Sequence, residues 1–386
     1  MGQRPGDTLR GQQRRGDHRP VAVDARERGA RRVACATASG TQPSRTVPVT
    51  LGDPRSVLSA AGSRYAPVGV AALADEVGAP DVLVGKPCET CAVRQWNRGV
   101  RDGEDRGVRD GEAPDHPGSA NTDGGGHPGG TDTGVAHPAS PDTSGATRAT
   151  GANSATRATA ETAGPPLLIS FFCAGTPSQF ATSDLVANGG IDAGDLVSVR
   201  YRGRGWPGEF EAVSTRGVSA RLGYEESLGG TLGKRLQSAC KTCPDGLGLF
   251  ADIAVGDFWT SDAQGFPVFD DAEGRSVVIA RTSRGLEAIR LARDEGVLVL
   301  FDHDLDDGSV QRTQPFQVRR RRMVGPRRWG KRLAGARVPH LEGLVRWGWA
   351  LRHPRQAWRE ARGTARRTRA ARRARGDRTS TRTGRP

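Results

Sequence analysis

The chain has 386 residues, of which 35% are hydrophobic and 5% aromatic, with 53 glycines and 24 prolines. A single compact domain of this length carries more apolar residues, so a large part of the chain lies outside a packed core. The net charge of +14 is uneven: from Arg319 to the end there are 23 Lys and Arg against 3 Asp and Glu, while the first 318 residues carry a balance of −6. Basic character therefore belongs to the tail and does not make the whole protein a nucleic-acid binder. No apolar run is long enough to span a bilayer. The stretch from Met1 to Arg32 is charged and lacks a hydrophobic segment, so Arg14-Arg15 does not make a secretion signal. The expectation is a soluble, cytoplasmic protein. In such a reducing compartment, six cysteines point to metal binding, redox chemistry or simple burial rather than to a disulfide scaffold.

In chain order, residues 1–46 are polar and Arg-rich and read as mostly disordered, with one strand near Arg32–Ala36. Residues 47–96 read as folded. Val47, Val49 and Leu51 alternate, a turn follows at Gly62–Pro67, and the apolar Val82-Leu83-Val84 runs into Gly85-Lys86-Pro87-Cys88. Residues 97–165 hold two copies of Arg-Gly-Val-Arg-Asp-Gly-Glu and almost no large apolar residue, and read as a disordered, low-complexity insertion.

Residues 166–318 carry the clearest patterning. Leu167 to Cys173 reads as a buried strand, and Ser178 as the cap of a helix carrying Phe180, Leu185 and Val186 that stops at Gly189-Gly190. Val197, Val199 and Tyr201 alternate with Ser198, Arg200 and Arg202, as in a half-buried strand. Gly203–Gly208 then turns the chain back into Glu209–Val213. Ala251, Ile253 and Val255 alternate before Gly256-Asp257-Phe258-Trp259. Val277–Ala280, a helix over Ser283–Glu295 and Val297–Phe301 read as a strand–helix–strand unit. The class is α/β or α+β: a mixed-sheet domain with a disordered insertion. In the Arg-rich tail, 319–386, a short amphipathic helix is expected near 341–361, followed by a solvated run.

Two cysteine pairs have C-x-x-C spacing, Cys88/Cys91 and Cys240/Cys243, and Cys173 stands between them. This spacing sets two thiolates on one turn toward one metal or cluster. Structural zinc, an iron–sulfur cluster and a dithiol redox pair all fit the residue types. Zinc must bridge the 148 positions between Cys91 and Cys240, whereas cluster ligands often come from distant loops.

Phe172–Ser178, Tyr201–Trp206, Cys240-Lys241-Thr242-Cys243 and Ala251–Trp259 stand in the order and rough spacing of the coenzyme F-420 hydrogenase/dehydrogenase beta subunit family, which this chain resembles over 47–96 and 166–301. The resemblance implies a flavin-dependent iron–sulfur oxidoreductase. Such a protein passes electrons between FAD, a 4Fe-4S cluster and a carrier: coenzyme F-420 as substrate, ferredoxin or another redox subunit. It implies Cys88, Cys173, Cys240 and Cys243 as cluster ligands, with Cys91 spare. It places flavin and substrate against Lys86, the Gly175-Thr176-Pro177-Ser178 turn, Arg202 and Trp206. Asp252 and Asp257 are read as orienting ligands or satisfying turn amides, and no catalytic acid or base is named. The chain departs from the family in lacking an additional N-terminal cysteine cluster and in the long insertion between Cys88 and Cys173.

The alternative is a zinc-stabilised, non-enzymatic binding protein whose Arg-rich tail contacts nucleic acid or another polyanion. A weaker reading has Trp347, Trp349 and the neighbouring arginines touching a membrane surface.

Overall fold

A computed structural model describes residues 8–12, 32–75, 79–107, 164–203, 205–259, 262, 268, 274–301, 308–338, 345 and 347–383. The chain divides into two units, residues 1–96 with 164–386, and residues 97–163. Of the second, residues 97–107 are described and are helical. The rest of the low-complexity insertion lies outside the described residues.

The main sheet has eight strands. In chain order they are β1 (Thr8–Gln12), β2 (Val33–Ala38), β3 (Thr46–Leu51), β4 (Val82–Gly85), β5 (Leu167–Phe171), β9 (Ile253–Asp257), β10 (Arg275–Ala280) and β11 (Leu300–Phe301). Their spatial order is β11-β1-β10-β9-β5-β4-β2-β3. The centre, β2-β4-β5-β9, is parallel, and the strands at both edges pair antiparallel. The sheet is mixed, as the patterning predicts. Apolar runs without alternation lie at its centre because parallel strands are covered on both faces. In β5, Leu167 and Ile169 face a core with Val33, Val82, Ile253, Val278 and Ile289, while Leu168 faces another with Ala34, Val70, Leu73, Leu83 and Val93.

The strand–helix–strand unit is corrected in one respect. β10 and β11 do not pair with each other, because β1 lies between them, Arg10 opposite both Val277 and Phe301. β1 falls inside the segment read as mostly disordered. Its sequence, Thr-Leu-Arg-Gly-Gln, carries no strand signal, and its place is shown by its backbone pairing with β10 and β11.

A second, antiparallel sheet joins β6 (Leu196–Arg200), β7 (Phe210–Ser214) and β8 (Ser219–Leu222) in that order. Leu196, Val199, Tyr201, Phe210 and Ala212 form a core with Leu185 and Val186 of the helix Gln179–Asn188. The alternation predicted for β6 breaks at Val197, which is 53% exposed. A register shift between Leu196 and Ser198 turns it outward.

The tail differs most from expectation. Helices span α1 (Pro54–Ser59), α2 (Pro87–Gly107), α3 (Gln179–Asn188), α4 (Ser283–Asp294), α5 (Ser309–Thr313), α6 (Pro315–Leu333), α7 (Gly348–Arg352) and α8 (Pro354–Thr383). Of the expected 341–361 helix, Gly348–Arg352 forms α7 and 354–361 begins α8, which continues through the Arg/Ala/Thr run to Thr383. Arginine and alanine are strong helix formers, and α8 lies against α6. A Cβ on Gly330 would come within 2.2 Å of the Ala361 carbonyl oxygen, so only glycine permits this close crossing. Arg327 pairs with Glu360 at 3.1 Å, and Trp329 meets Trp358 with ring centroids 5.7 Å apart. Arg369 and Arg372 donate to the carbonyls of Leu333, Ala334 and Gly335, closing the C-terminal end of α6 with positive charge. These tail arginines hold the fold. Among the described residues no helix is long and apolar enough to cross a membrane.

Asp252, just ahead of β9, is 2% exposed and accepts three hydrogen bonds: from Arg94 at 2.7 Å, the Leu168 amide at 2.8 Å and the Thr282 hydroxyl at 2.8 Å. Thr282 in turn caps α4 by accepting from the Gly285 amide. One carboxylate thus joins α2, β5 and the start of α4. Asp252→Ala leaves these donors unpaired and is expected to lower the free energy of unfolding by about 3 kcal/mol. Thr282→Val removes one donor and the cap, and is expected to cost about 1 kcal/mol. Urea unfolding followed by circular dichroism measures both. Equal stability of Asp252→Ala and the unaltered protein would show that the hub carries no weight.

Candidate functional site

The site lies where the parallel strands end. β4 hands the chain to Lys86-Pro87-Cys88 at the start of α2, and β5 hands it to Phe172-Cys173. The Cys173 amide donates to the Gly246 carbonyl at 2.9 Å, which draws the loop ahead of β9 alongside. Gly175 has φ +131°, and a Cβ there would meet the Leu236 side chain at 2.8 Å. Glycine lets the 175–178 turn lie against residues 235–240. The contact is closed by Thr176 N–H to the Cys240 Sγ (3.3 Å), Gln237 N–H to the Thr176 carbonyl (2.8 Å) and Ser178 N–H to the Arg235 carbonyl (2.9 Å). Cys243 Sγ donates to the Asp245 carbonyl at 3.1 Å, and the buried Asp245 carboxylate accepts from the Leu247 and Leu249 amides.

The thiols lie near enough to act on one another. Burial pushes the Cys173 thiol up to about 11, with Cys240 and Cys243 adding to the rise and the Gly175 amide and Arg320 opposing it. Burial likewise pushes Cys91 up to about 11, helped by Asp245 and Cys243. It raises Cys243 too, against the pull of the Asp245 backbone and Arg320. Cys88 keeps accessible surface, yet the protein around its sulfur pushes it up to about 12, with Glu89, Cys243 and Cys173 contributing. Cys35, in β2, is raised by burial alone and stands apart from this group. Among the described residues, no three His, Cys, Asp or Glu side chains are grouped so as to hold a single metal ion.

The residues expected to meet flavin or substrate are divided between two places. Lys86, Gly175, Thr176 and Ser178 lie in the turns that carry Cys88 and Cys173. The Lys86 ammonium is taken up by Glu89 at 2.8 Å and the Val68 carbonyl at 3.0 Å. Arg202 and Trp206 lie at the turn between β6 and β7. Arg202 pairs with Asp257 at 2.5 Å, donates to the Pro207 carbonyl at 2.7 Å, hydrogen-bonds Tyr65 and lies 4.8 Å from the centroid of Trp206. Trp206 stacks on Trp259 with centroids 6.3 Å apart, and the Trp259 indole N–H is buried without a hydrogen-bond partner among the described residues. The roles of the two aspartates separate: Asp252 is internal, while Asp257 binds Arg202.

Sequence reasoning did not find the contribution of α6. Gln317 donates to the Cys173 carbonyl at 3.0 Å, Arg320 donates to the same carbonyl at 3.1 Å and to that of Ala174, and Lys331 holds the Ser238 carbonyl at 2.5 Å. Gln317 and Arg320 are three residues apart and share a helix face, which the sequence does display. Their partners lie 144 and 147 positions away, which it does not.

These features define an α/β protein whose candidate site is a set of cysteine-bearing turns at the carboxyl ends of parallel strands, where α/β folds bind ligands. Residues 149–305 match the family described as the C terminus of the coenzyme F420 hydrogenase/dehydrogenase beta subunit. Over this segment the chain is similar to that family, which the motif order of Phe172–Ser178, Cys240–Cys243 and Ala251–Trp259 resembles. The segment includes Cys173, Cys240 and Cys243. No curated protein matches the chain. A solved structure similar to it is a chain of the F420-reducing [NiFe] hydrogenase complex from Methanosarcina barkeri. The identity is 16% and the TM-score 0.49, over 81% of this chain and 88% of that one.

The raised thiols give a pH dependence. A folded-state pKa above the unfolded value means that the folded protein holds its proton longer, so stability falls as pH rises between the two values. For Cys91 and Cys173 in metal-free protein the window runs from 9.0 to about 11. Urea midpoints measured across it are expected to fall, and to fall less in Cys91→Ser. An identical pH slope in that variant would refute the burial of this thiol.

Proposed function

We propose that the chain is a flavin-dependent iron–sulfur oxidoreductase subunit. It would pass electrons between FAD, a 4Fe-4S cluster and coenzyme F-420, ferredoxin or a similar carrier, in company with another redox subunit. The observation that supports this reading is the Thr176 N–H to Cys240 Sγ hydrogen bond, which joins the turn after Cys173 to the turn of Cys240 and Cys243, together with the mutual influence of the Cys88, Cys173 and Cys243 thiols. An all-sulfur donor set suits iron clusters. Four zinc–sulfur bonds of about 2.3 Å would draw the sulfurs around one ion. The Thr176 amide pointing at the Cys240 sulfur supports the iron-cluster assignment, because hydrogen bonds to ligand sulfurs are a means of tuning such clusters.

When bound, the cluster supplies one-electron steps and the flavin joins them to hydride transfer. The chain's own residues do the positioning. Gln317 and Arg320 fix the Cys173 carbonyl, Arg320 adds positive charge beside thiolates, and Lys331 fixes the turn that carries Cys240. The Trp206–Trp259 pair offers an aromatic surface, and the unpartnered Trp259 indole N–H offers a donor to a planar ring. Arg202 and Lys86 are neutralised by Asp257 and Glu89, so either meets a phosphate by exchanging its carboxylate.

Anaerobically purified protein is expected to hold about four irons and one flavin per chain and to bleach with dithionite near about 400 nm. Cys173→Ser is expected to lose the iron. Trp206→Ala is expected to lose flavin and keep iron. Colourless protein with one zinc would overturn the reading.

A further inference from the structure

The α6–α8 hairpin carries a surface that the redox reading does not use. Arg355, Arg359, Arg362, Arg366, Arg369 and Arg373 follow one another at intervals of four and three residues, so they lie along one side of α8. Between the first and last the helix rises about 27 Å. All six are exposed. Arg369 also caps α6, whereas no hydrogen bond or ion pair among the described residues engages Arg355, Arg359, Arg362, Arg366 or Arg373. The nearest carboxylate on the helix, Glu360, is taken up by Arg327 and Arg319. Arginines at this spacing repel one another, and among the described side chains no carboxylate pairs with any of these five.

Beside this stripe lies exposed apolar surface. Trp358 stands one turn from Arg355 and one turn from Arg362, and its ring meets Trp329 across the hairpin. Trp358 is 52% exposed, Trp329 42% and Leu333 46%. Leu333 is one turn beyond Trp329 on α6, and its carbonyl binds Arg369 of the stripe. Tryptophan and leucine are thus flanked by cations on the same side. The tryptophans emphasised in the sequence are placed differently: Trp349 stacks on His353 with centroids 4.2 Å apart, and Trp347 covers Gly325.

We propose that this face of the hairpin docks the protein on an anionic lipid surface. Anionic headgroups answer the row of cations, and the interface below them accepts indole rings and leucine. A fluid headgroup layer requires no matched spacing, which suits charges spread over the whole length of a helix. A nucleic acid would answer the arginines, but it gives Leu333 no burial.

Full-length protein sedimented with vesicles tests this. Phosphatidylcholine vesicles and vesicles containing about one-third phosphatidylglycerol are compared at low and high salt. Pelleting is expected with the anionic vesicles only and is lost at high salt. The combined Arg355→Glu, Arg359→Glu, Arg362→Glu and Arg366→Glu variant is expected to bind more than about tenfold more weakly, and the same four changed to Lys to retain most binding. Trp358→Ser is expected to weaken binding with every arginine in place, which keeps the test open should charge reversal disturb folding. Failure to pellet, equal pelleting with neutral vesicles, or unchanged binding in both the Trp358→Ser and the charge-reversed proteins overturns the proposal. So does binding of poly(U) or polyglutamate through the same arginines without binding of vesicles.

Discussion

The Asp252 carboxylate is the point on which the rest of the main unit depends. It is almost fully buried, and a buried charge is tolerated only when paired and hydrogen-bonded. Its donors come from α2, from the first part of β5 and from the cap of α4. Its backbone joins the same places, the amide to the Leu168 carbonyl at 2.7 Å and the carbonyl to the Arg281 amide at 2.8 Å. The helix that carries Cys88 and the strand that leads to Cys173 are therefore held to one residue. The relative position of the cysteine turns follows from that.

A second constraint comes from the C-terminal helices. The carbonyls of Cys173, Ala174 and Ser238 in the cysteine turns accept from side chains of α6. α6 supplies these donors through Gln317, Arg320 and Lys331, and α8 is locked against α6 through Gly330, Glu360 and two helix-capping arginines. The basic tail is thus divided by role. Its inward cations satisfy carbonyls and one carboxylate, and the outward row on α8 meets no carboxylate among the described side chains. Charge composition alone shows the sum of these roles and cannot separate them.

Much of the fold was legible in particular residues. Leu167-Leu168-Ile169 read as a buried strand, because a strand covered on both faces needs no polar alternation. Ser178 through Gly189 marked a helix with both of its ends. Val197 was misplaced because a bulge reverses the alternation, and a bulge leaves no mark in Leu-Val-Ser-Val-Arg. β1 was missed because nothing in Thr-Leu-Arg-Gly-Gln announces a strand that pairs with both β10 and β11. The solvated reading of 362–383 weighed repulsion between arginines and left out the helix waiting to receive them.

The sequence by itself determined the mixed α/β class, the run of buried strands, the cysteine spacings and the family resemblance over residues 149–305. Those are properties of short windows, set by periodicity, turn chemistry and motif order. Only the tertiary structure decided that the 175–178 turn meets the Cys240 turn, that Asp252 is structural while Asp257 holds Arg202, and that Gln317, Arg320 and Lys331 of α6 hold the cysteine turns. Each of those contacts joins groups tens to more than a hundred residues apart. Their partners are chosen by backbone donors and acceptors that every residue carries alike, so no residue type in the sequence announces them.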